Sequence, residues 1–577
     1  MHFVQVRVAD HMATARRFLV AVMLLSAPMI AQAQNADVYR ERIRSAQAFS
    51  ALPDAAFGEQ YDLYKGELTF HQEDLRLAGT GPDIVIGRTF APGNWQDVVA
   101  TRGFQDWEVT IPRLEAKSPA TPIWQVSGAG NYDRCTHFMA QPPAYTIINS
   151  HRWWNGVQLV DQSGTSRDAM ARAAGNLQAP GGAVSSYNGV TKDNWQFSCL
   201  SQTANGQPGE AMLGLAPDGT KYWFNWLVLS VNASTYAEEG LDGRIYRLDL
   251  YKASMLVTRI EDRFGNYLTY TYDGPRLAAI SGSDGRLVTF TWATDGSHIT
   301  GMTAAGRTWT YEYATSRLSR LIYPDGTDMR FSLDALRTIY TTQSTLDCNP
   351  TPGESSMLDG GLDPTAYIGS ITGPSGLTGT FTVQQTLHGR SRVPAACNTI
   401  NYTSTATVAA LFVTNSLVSR QYAGPGGINL SWQFQYGTPA ASWSSCTTCS
   451  TKAMTTVVAP DGSVSRSTYS TEWGAYEGKL LLQEDGVTSA GVLRTTTYQY
   501  APTTGMPYPS AVGDLPFTFD LANTAPAITK SPLFRKTVTQ QGRTFTWEVA
   551  STCGSNGTSL CFDKYARPTR FVKGSTP

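Results

Sequence analysis

Apolar and polar residues alternate through the middle of the chain, and the pattern predicts β-hairpins. Tyr270 and Tyr272 are two residues apart, as are Phe290 and Trp292, so the side chains of each pair lie on one face of an extended chain. The Asp-Gly pair that ends at Gly285 separates the two pairs and supplies turn chemistry, because Gly accepts a positive φ. A strand, a turn and a return strand therefore fit in about twenty residues.

The same arrangement recurs at a nearly fixed interval. Glycines recur in steps of 24, 22, 20, 21 and 20 residues, at Gly219, Gly243, Gly265, Gly285, Gly306 and Gly326. The fifth positions after them are Phe224, Leu248, Tyr270, Phe290, Tyr311 and Phe331, and the seventh are Trp226, Leu250, Tyr272, Trp292, Tyr313 and Leu333. Because all these positions are apolar or aromatic, the pattern predicts hairpins that stack into one sheet over a shared aromatic ladder.

This register defines the predicted site residues of the array. The predicted repeat core is Tyr270, Tyr272, Phe290, Trp292, Tyr311, Tyr313 and Phe331, and the predicted turn glycines are Gly265, Gly285, Gly306 and Gly326. On the return strands Leu277 and Ile280 are three residues apart, which is the wrong interval for one strand face. Either a β-bulge separates them or both faces of the sheet are covered.

The pattern divides the chain into five predicted segments. Residues 1–33 are a leader, residues 34–200 a β-rich N-terminal domain, residues 201–340 the hairpin array, residues 341–455 a Gly/Thr/Ser-rich β insertion with cysteines, and residues 456–577 divergent, incomplete repeat strands. In the N-terminal domain "GELTFHQEDLRLAGTGPDIVIGRTF" alternates as strands do. The predicted fold class is therefore all-β.

Composition agrees with an ordered, turn-rich β protein. The chain has 577 residues, 52 Gly and 30 Pro, with 41% hydrophobic and only 16% charged residues. The formal net charge of −1 and the lack of a Lys/Arg stripe argue against nucleic acid as a partner. The chain contains no run of 18 consecutive apolar residues, so a stable membrane span is not predicted.

The N-terminus has the layout of a secretory signal. Arg16 and Arg17 precede an apolar run from Phe18 to Ile30, and Ala31-Gln32-Ala33 then fits an A-x-A cleavage site. We predict that the mature chain begins at Gln34 and is periplasmic, extracellular or at the cell surface.

Eight cysteines in an exported chain favour disulfides. They are Cys135, Cys199, Cys348, Cys397, Cys446, Cys449, Cys553 and Cys561. Spacing does not determine connectivity, but pairing of sequential neighbours keeps each bond inside one predicted segment. The C-x-x-C motif favours a structural disulfide, with redox and metal roles as alternatives.

Some of these residues carry a recognisable pattern. "TYTYDGPRLAAI" closely resembles the YD repeat of the bacterial Rhs family, which is related to wall-associated proteins and toxin-like shells. "FDKYARPTRFV" resembles a divergent copy, and the alternating N-terminal stretch is similar to that family's N-terminal segment. The resemblance implies strands that wind into a spiral sheet around a hollow. The toxin domain and the self-cleavage segment of longer relatives have no counterpart here, so the chain reads as truncated at its C-terminus.

The sequence contains no motif that demands catalysis. The histidines are scattered, and no nucleophile elbow, P-loop or second C-x-x-C occurs, so neither an enzyme activity nor a cofactor or metal is expected. We predict a secreted non-enzymatic shell or surface scaffold, with a downstream-encoded toxin or cargo, or a cell-surface glycan, as possible partners. One alternative is a carbohydrate-binding adhesin that uses Trp153 or Trp154, and another is a secreted β-propeller glycoside hydrolase.

Overall fold

A computed structural model of the chain describes residues 55–93, 103–126, 132–144, 148, 154, 156–173, 186–230, 234–239, 244–339, 362–394, 397–400, 403–406, 410–509, 511–514, 527–553 and 559–576. The fold below is that of the compact unit Phe57–Pro577. Its described part is nearly all β, which confirms the predicted fold class. In these residues no helix has the length and apolarity needed to cross a membrane.

An N-terminal sheet of five antiparallel strands opens the unit. In chain order these strands are β1 (Glu59–Tyr61), β2 (Leu68–Leu77), β3 (Ile84–Phe90), β4 (Gly103–Phe104) and β5 (Trp107–Val109). Their order in the sheet is β1-β2-β3-β5-β4. Every second residue at the start of β2 is buried, so this sheet turns one face towards a core.

Eight strands then form a closed sheet, with one further hairpin strand beside it. They are β6 (Arg113–Ser118), β7 (Val157–Val160), β8 (Ser166–Arg172), β9 (Gly189–Thr191), β10 (Gln196–Leu200), β11 (Ala211–Leu215), β12 (Lys221–Leu229) and β14 (Ile245–Glu261), and the additional strand is β13 (Ser234–Glu239). Each pairs antiparallel with the next, and β14 closes the sheet by pairing with both β12 and β6. The predicted N-terminal domain therefore supplies β6–β10 to a sheet that the following segment completes.

From β14 onwards the chain builds one long antiparallel ladder, here called the repeat sheet. Its first strands are β15 (Tyr267–Asp273), β16 (Arg276–Gly282), β17 (Leu287–Trp292), β18 (Ile299–Ala304), β19 (Arg307–Ala314), β20 (Arg317–Ile322) and β21 (Asp328–Ser332). The four-residue helix α1 (Asp334–Arg337) follows β21. Each hairpin pairs with its neighbours on both sides, as the register of glycines predicted.

The ladder continues through the segment that was predicted to be an insertion. Its later strands are β22 (Tyr367–Thr372), β23 (Thr378–Gly389), β26 (Leu411–Gly424), β27 (Ile428–Tyr436), β28 (Lys452–Val458), β29 (Val464–Ser470), β30 (Leu480–Thr488), β31 (Gly491–Tyr500), β34 (Leu533–Gln540), β35 (Arg543–Val549) and β36 (Phe571–Thr576). Outside it lie β24 (Cys397–Ile400) with β25 (Thr403–Ala406), and β32 (Ala511–Asp514) with β33 (Ala527–Thr529). Unequal loop lengths hide this continuity in the sequence, because the ladder depends on strand pairing and not on equal spacing.

The turn glycines adopt the predicted backbone conformation. Gly265, Gly285, Gly306 and Gly326 have φ values from +72° to +88°, a region in which a Cβ is disfavoured. At Gly285 a four-residue turn closes when the Gly285 amide donates to the Gly282 carbonyl at 3.0 Å. Gly306 instead belongs to a two-residue turn, since Ala304 pairs directly with Arg307.

A β-bulge at the same place in successive repeats explains the interval of three on the return strands. The ladder shifts register between Thr271 and Tyr272, and again between Glu312 and Tyr313. The extra residue of the bulge shifts the alternation of side chains by one position. Leu277 and Ile280 therefore both face the core, and both are buried. Of the two explanations left open by the sequence, the bulge is the one found.

In three successive repeats the aromatic residue at the seventh position donates a hydrogen bond to the preceding strand. Tyr272 Oη donates to the Val257 carbonyl at 2.6 Å, Trp292 Nε1 to the Leu277 carbonyl at 2.8 Å, and Tyr313 Oη to the Ile299 carbonyl at 2.6 Å. These donors lie beyond the ends of the backbone pairing between neighbouring hairpins. The side chains therefore extend the attachment of each hairpin past the backbone ladder.

We expect Tyr272→Phe to lower the free energy of unfolding by about 1–2 kcal/mol, because it leaves a carbonyl in the core without its donor. Urea unfolding of the mature chain measures this change. Tyr267→Phe is the matched control, since Tyr267 lies on the same strand as Tyr272 and is half-buried. Equal midpoints for the two variants would contradict a stabilising role for the Tyr272 hydroxyl.

The predicted core and cysteine residues occupy the following positions. Tyr270, Tyr272, Phe290, Tyr311 and Phe331 are buried, whereas Trp292 and Tyr313 are half-buried.

Disulfides join Cys135 to Cys199, Cys446 to Cys449 and Cys553 to Cys561, which confirms three of the sequential pairs. Cys348 lies outside the described residues, so its pairing with Cys397 stays a prediction.

Candidate functional site: the face beneath the N-terminal sheet

The N-terminal sheet packs on one face of the repeat sheet, here called the inner face. Ring centroids across this interface are 4.6 Å apart for Phe104 and Tyr311, 5.3 Å for Trp107 and Phe331, 4.8 Å for Phe70 and Phe381, and 5.8 Å for Phe57 and Tyr422. The same alternation that makes each strand amphipathic supplies both apolar surfaces. The fifth-position aromatics Tyr311 and Phe331 thus contact a second sheet, which makes the interface the core of this part of the unit.

A buried ion pair lies within this aromatic interface. Arg88 Nε donates to Asp74 Oδ2 at 2.9 Å, and both side chains are almost fully buried. The Arg88 guanidinium lies 4.5 Å from the ring centroid of Trp107 and 4.6 Å from that of Phe331. Tyr311 Oη donates to the same carboxylate at 3.0 Å, so the repeat sheet and the N-terminal sheet share one polar network.

A second buried pair lies further along the inner face. Arg420 Nη1 lies 3.3 Å from Glu59 Oε1, and the Tyr422 hydroxyl donates to the same oxygen. The Phe57 amide donates to the other carboxylate oxygen at 3.0 Å. Burial raises the pKa of Glu59, whereas the hydrogen bond from the Phe57 amide and the positive charge of Arg420 lower it. The arrangement fixes β1 on the repeat sheet.

The pair His388 and Ser416 resembles a nucleophile with its base, but its surroundings give it a structural role. His388 Nε2 lies 3.3 Å from Ser416 Oγ, which also lies within hydrogen-bond distance of the Lys65 carbonyl at 2.8 Å. Ser416 is fully buried, and the adjoining cavity has a volume of about 10 Å³. That space holds at most a water molecule, so no substrate reaches the hydroxyl.

His388 makes the stability of the protein depend on pH. Burial lowers the pKa of His388 to about 4, below the ordinary value of 6.5, so its stabilising contribution is full above pH 6.5 and is lost as the pH falls towards 4. Between pH 7 and pH 4.5 we expect wild type to lose about 2–3 kcal/mol more unfolding free energy than His388→Gln. Urea midpoints at both pH values test this, and equal losses in the two proteins would contradict it.

A groove opens where the turns of the repeat sheet meet the N-terminal sheet. This rim groove has a volume of about 640 Å³ and is lined by Asp74, Arg307, Trp309, Tyr323, Pro324, Asp325, Thr327 and Pro374. Arg307 follows the β18–β19 turn, residues 324–327 belong to the β20–β21 turn, and Pro374 belongs to the β22–β23 turn. Its size lies within the range of small-ligand sites.

One group of three side chains has the residue types of a metal site, but its contacts are explained without a metal. Cys135, Cys199 and Glu210 bring their ligand atoms within 4.8 Å of one another. The two sulfurs form a disulfide, so neither is a thiolate. Glu210 accepts from the Cys135 amide at 2.9 Å and from the Thr136 amide at 2.7 Å, which gives it a structural role.

The inner-face residues and the predicted site residues overlap only in part. Trp154, predicted as a candidate sugar-binding residue, is 2% exposed and therefore unsuited to surface binding, and Trp153 lies outside the described residues. Asp74 and Arg88 were missed because charged residues are ordinarily placed at the surface. One signal was available, since Asp74 is two and four residues after Gln72 and Phe70 and continues the buried face of β2.

No protein-family model matches the chain, and no curated protein matches it. The resemblance to YD repeats therefore rests on the sequence motifs alone.

Proposed function

We propose that this chain is an exported, non-enzymatic scaffold of the YD-repeat type, which forms part of a β-shell or cell-surface structure of the kind used in toxin delivery or cell–cell interaction. The observation that carries the proposal is the recurrence of turn glycine, bulge and side-chain donor through successive hairpins. Such a repeat adds sheet area without adding a site, because each unit uses its distinctive residues to hold its neighbour.

The buried polar residues of the inner face also favour a scaffold. Glu59 with Arg420 joins two layers of sheet, and Asp74 with Arg88 is joined to the second layer by Tyr311. Their further partners include the Gln72 side chain and the Phe57 amide. Paired, hydrogen-bonded charges in an aromatic interface fix the register of one sheet on the other. Their surroundings are therefore suited to alignment of the two layers.

Strand topology and side-chain burial bear on the two alternative functions, a β-propeller glycoside hydrolase and an adhesin. A β-propeller consists of separate four-stranded blades, whereas β14–β23 form one uninterrupted ladder. The adhesin hypothesis loses Trp154 as its binding residue, since that side chain is buried.

Export and processing provide the first test of the proposal. We expect the full chain, produced in a bacterial host, to leave the cytoplasm with Gln34 as its first residue. A variant with Arg16→Glu and Arg17→Glu is expected to stay inside the cell unprocessed, because the basic region of the leader is lost. N-terminal sequencing of fractionated cells measures both outcomes, and wild type that is retained unprocessed would contradict the proposal.

The exported material then tests the non-enzymatic part. Incubated with a panel of polysaccharides, it is expected to release no reducing sugar above a heat-denatured control. Release that scales with protein concentration would overturn the scaffold assignment in favour of a glycoside hydrolase.

A further inference from the structure

The inner face continues past the N-terminal sheet, across the last strands of the repeat sheet. Thr455 Oγ1 on β28 donates to the Leu63 carbonyl between β1 and β2 at 2.7 Å, so Thr455 lies on the inner face. Directly paired residues share a face, and the pairing runs from Thr455 through β29, β30, β31 and β34 to Phe545 on β35. Phe545 is 40% exposed, so this part of the inner face is open to solvent.

A row of alternating aromatic and cationic side chains crosses this open region. In order across β31, β34, β35 and β36 the row is Tyr498, Lys536, Trp547 and Lys573, and each residue pairs directly with the next. Trp547 is two residues from Phe545 on the same strand, so the whole row lies on the inner face. Lys573 is exposed and the other three are half-buried. These four residues are here called the aromatic–lysine row.

The aromatic–lysine row is positively charged. In the described part of the chain, the ion pairs of these four strands involve Arg494 and Arg535, and neither lysine of the row has one. The four strands carry one carboxylate, Glu548, which follows Trp547 and therefore points to the opposite face. The row therefore attracts anions.

The spacing within the row indicates the class of anion. Neighbouring strands are about 4.8 Å apart, so the two rings repeat at about 10 Å and so do the two lysines. An extended polysaccharide advances by about one strand spacing for each sugar ring. A glycan in which neutral and acidic sugars alternate would therefore place its neutral rings on aromatic side chains and its carboxylates beside lysines.

Two other kinds of polyanion fit the row less well. In a single-stranded nucleic acid the bases project to one side of the phosphates, so stacking rings and cations form separate tracks and not one alternating row. An acidic peptide laid across the sheet face would leave its backbone N–H and C=O groups without partners.

We propose that the aromatic–lysine row binds an acidic polysaccharide in which neutral and uronic acid sugars alternate, with neutral rings on Tyr498 and Trp547 and carboxylates at Lys536 and Lys573. The site is separate from the aromatic pair at 153 and 154, and it adds a binding activity to the scaffold.

Titration calorimetry on the mature chain with oligosaccharides of alternating glucuronic acid and N-acetylglucosamine tests the proposal. Neutral N-acetylglucosamine oligosaccharides, an oligo-dT strand and polyglutamate represent the other ligand classes, and we expect the acidic oligosaccharides to bind most tightly. The double variant Lys536→Gln with Lys573→Gln is expected to weaken their binding about tenfold, because two charge-assisted contacts are lost. Trp547→Leu is expected to weaken it by a similar factor, since it removes the stacking ring and keeps an apolar side chain.

The matched control is Lys117→Gln with Lys452→Gln, which removes the same charge from exposed positions on β6 and β28. Lys452 is three residues before Thr455 and so lies on the opposite face. This control is expected to leave the affinity unchanged, and thermal unfolding of each variant shows whether the fold is retained. Absence of binding, tighter binding of any other ligand class, or equal affinity of the control and the Lys536–Lys573 double variant would each overturn the proposal. None of these results would affect the export and activity tests of the scaffold assignment.

Discussion

Replacing Tyr270 by Ala is expected to lower the free energy of unfolding by about 3–5 kcal/mol, one of the largest effects of any substitution in the repeat sheet. Tyr270 stands at the fifth position of its repeat, is 4% exposed, and pairs with the buried Ile280. Removing its ring loses the transfer free energy of a large buried aromatic side chain. It also leaves a cavity that the two neighbouring strands cannot fill, because backbone pairing holds them in place.

Phe264→Ala provides the matched control for this experiment. Phe264 belongs to the turn before the same hairpin and is 75% exposed, so its loss is expected to change stability by less than about 0.5 kcal/mol. Guanidinium unfolding of the disulfide-intact mature chain, followed by tryptophan fluorescence, measures both variants. A Tyr270→Ala midpoint equal to that of Phe264→Ala would mean that the aromatic ladder contributes no core.

Replacing Arg88 by Met is expected to cost a comparable 3–5 kcal/mol, roughly the penalty for breaking a buried ion pair. The substitution leaves the Asp74 carboxylate buried, with the Tyr311 hydroxyl as its donor across the interface. It also removes the cation that lies 4.5 Å from the ring centroid of Trp107 and 4.6 Å from that of Phe331. Both losses act at the interface between the two sheets.

Two comparisons separate the charge effect from a loss of volume. The double variant Asp74→Asn with Arg88→Met is expected to recover part of the lost stability, because no unpaired carboxylate remains. Arg76→Met removes two exposed ion pairs, with Glu73 and Asp83, from the strand that carries Asp74, and is expected to change stability by less than about 1 kcal/mol. A double variant that is no more stable than Arg88→Met would show that the buried charge is not the cause.

The repeat could be predicted from the sequence because its determinants are local. Gly285 is required by a turn within its own hairpin, and Tyr270 and Tyr272 share a strand face through the period of two. The difference between the fifth and seventh positions was not predicted. At Tyr272 and Trp292 the seventh residue supplies a side-chain donor, which became evident only when the carbonyl on the preceding strand was located.

The candidate site was much less predictable. Asp74 and Arg88 are 14 residues apart in sequence, and Tyr311 is 237 residues from Asp74, yet the three form one network. The contacts of the buried Glu59 with Arg420 and Tyr422 likewise join residues far apart along the chain. Composition and motif searches do not detect such residues, because each looks like an ordinary surface or strand residue in its local segment.

By itself, the sequence determined that this protein is all-β, and it located the turns and strand faces of the hairpins between residues 201 and 340. It favoured pairing of neighbouring cysteines, which the structure shows for three pairs. These features follow from the two-residue period of a strand, the conformational freedom of glycine and the short distances within one segment. Only the tertiary structure decided that the eight strands ending in β14 close on themselves and that the ladder runs on through residues 367–436. It also decided that the N-terminal sheet covers the inner face. Strand pairing and layer packing depend on which amphipathic faces meet, and many alternative pairings satisfy the same local pattern.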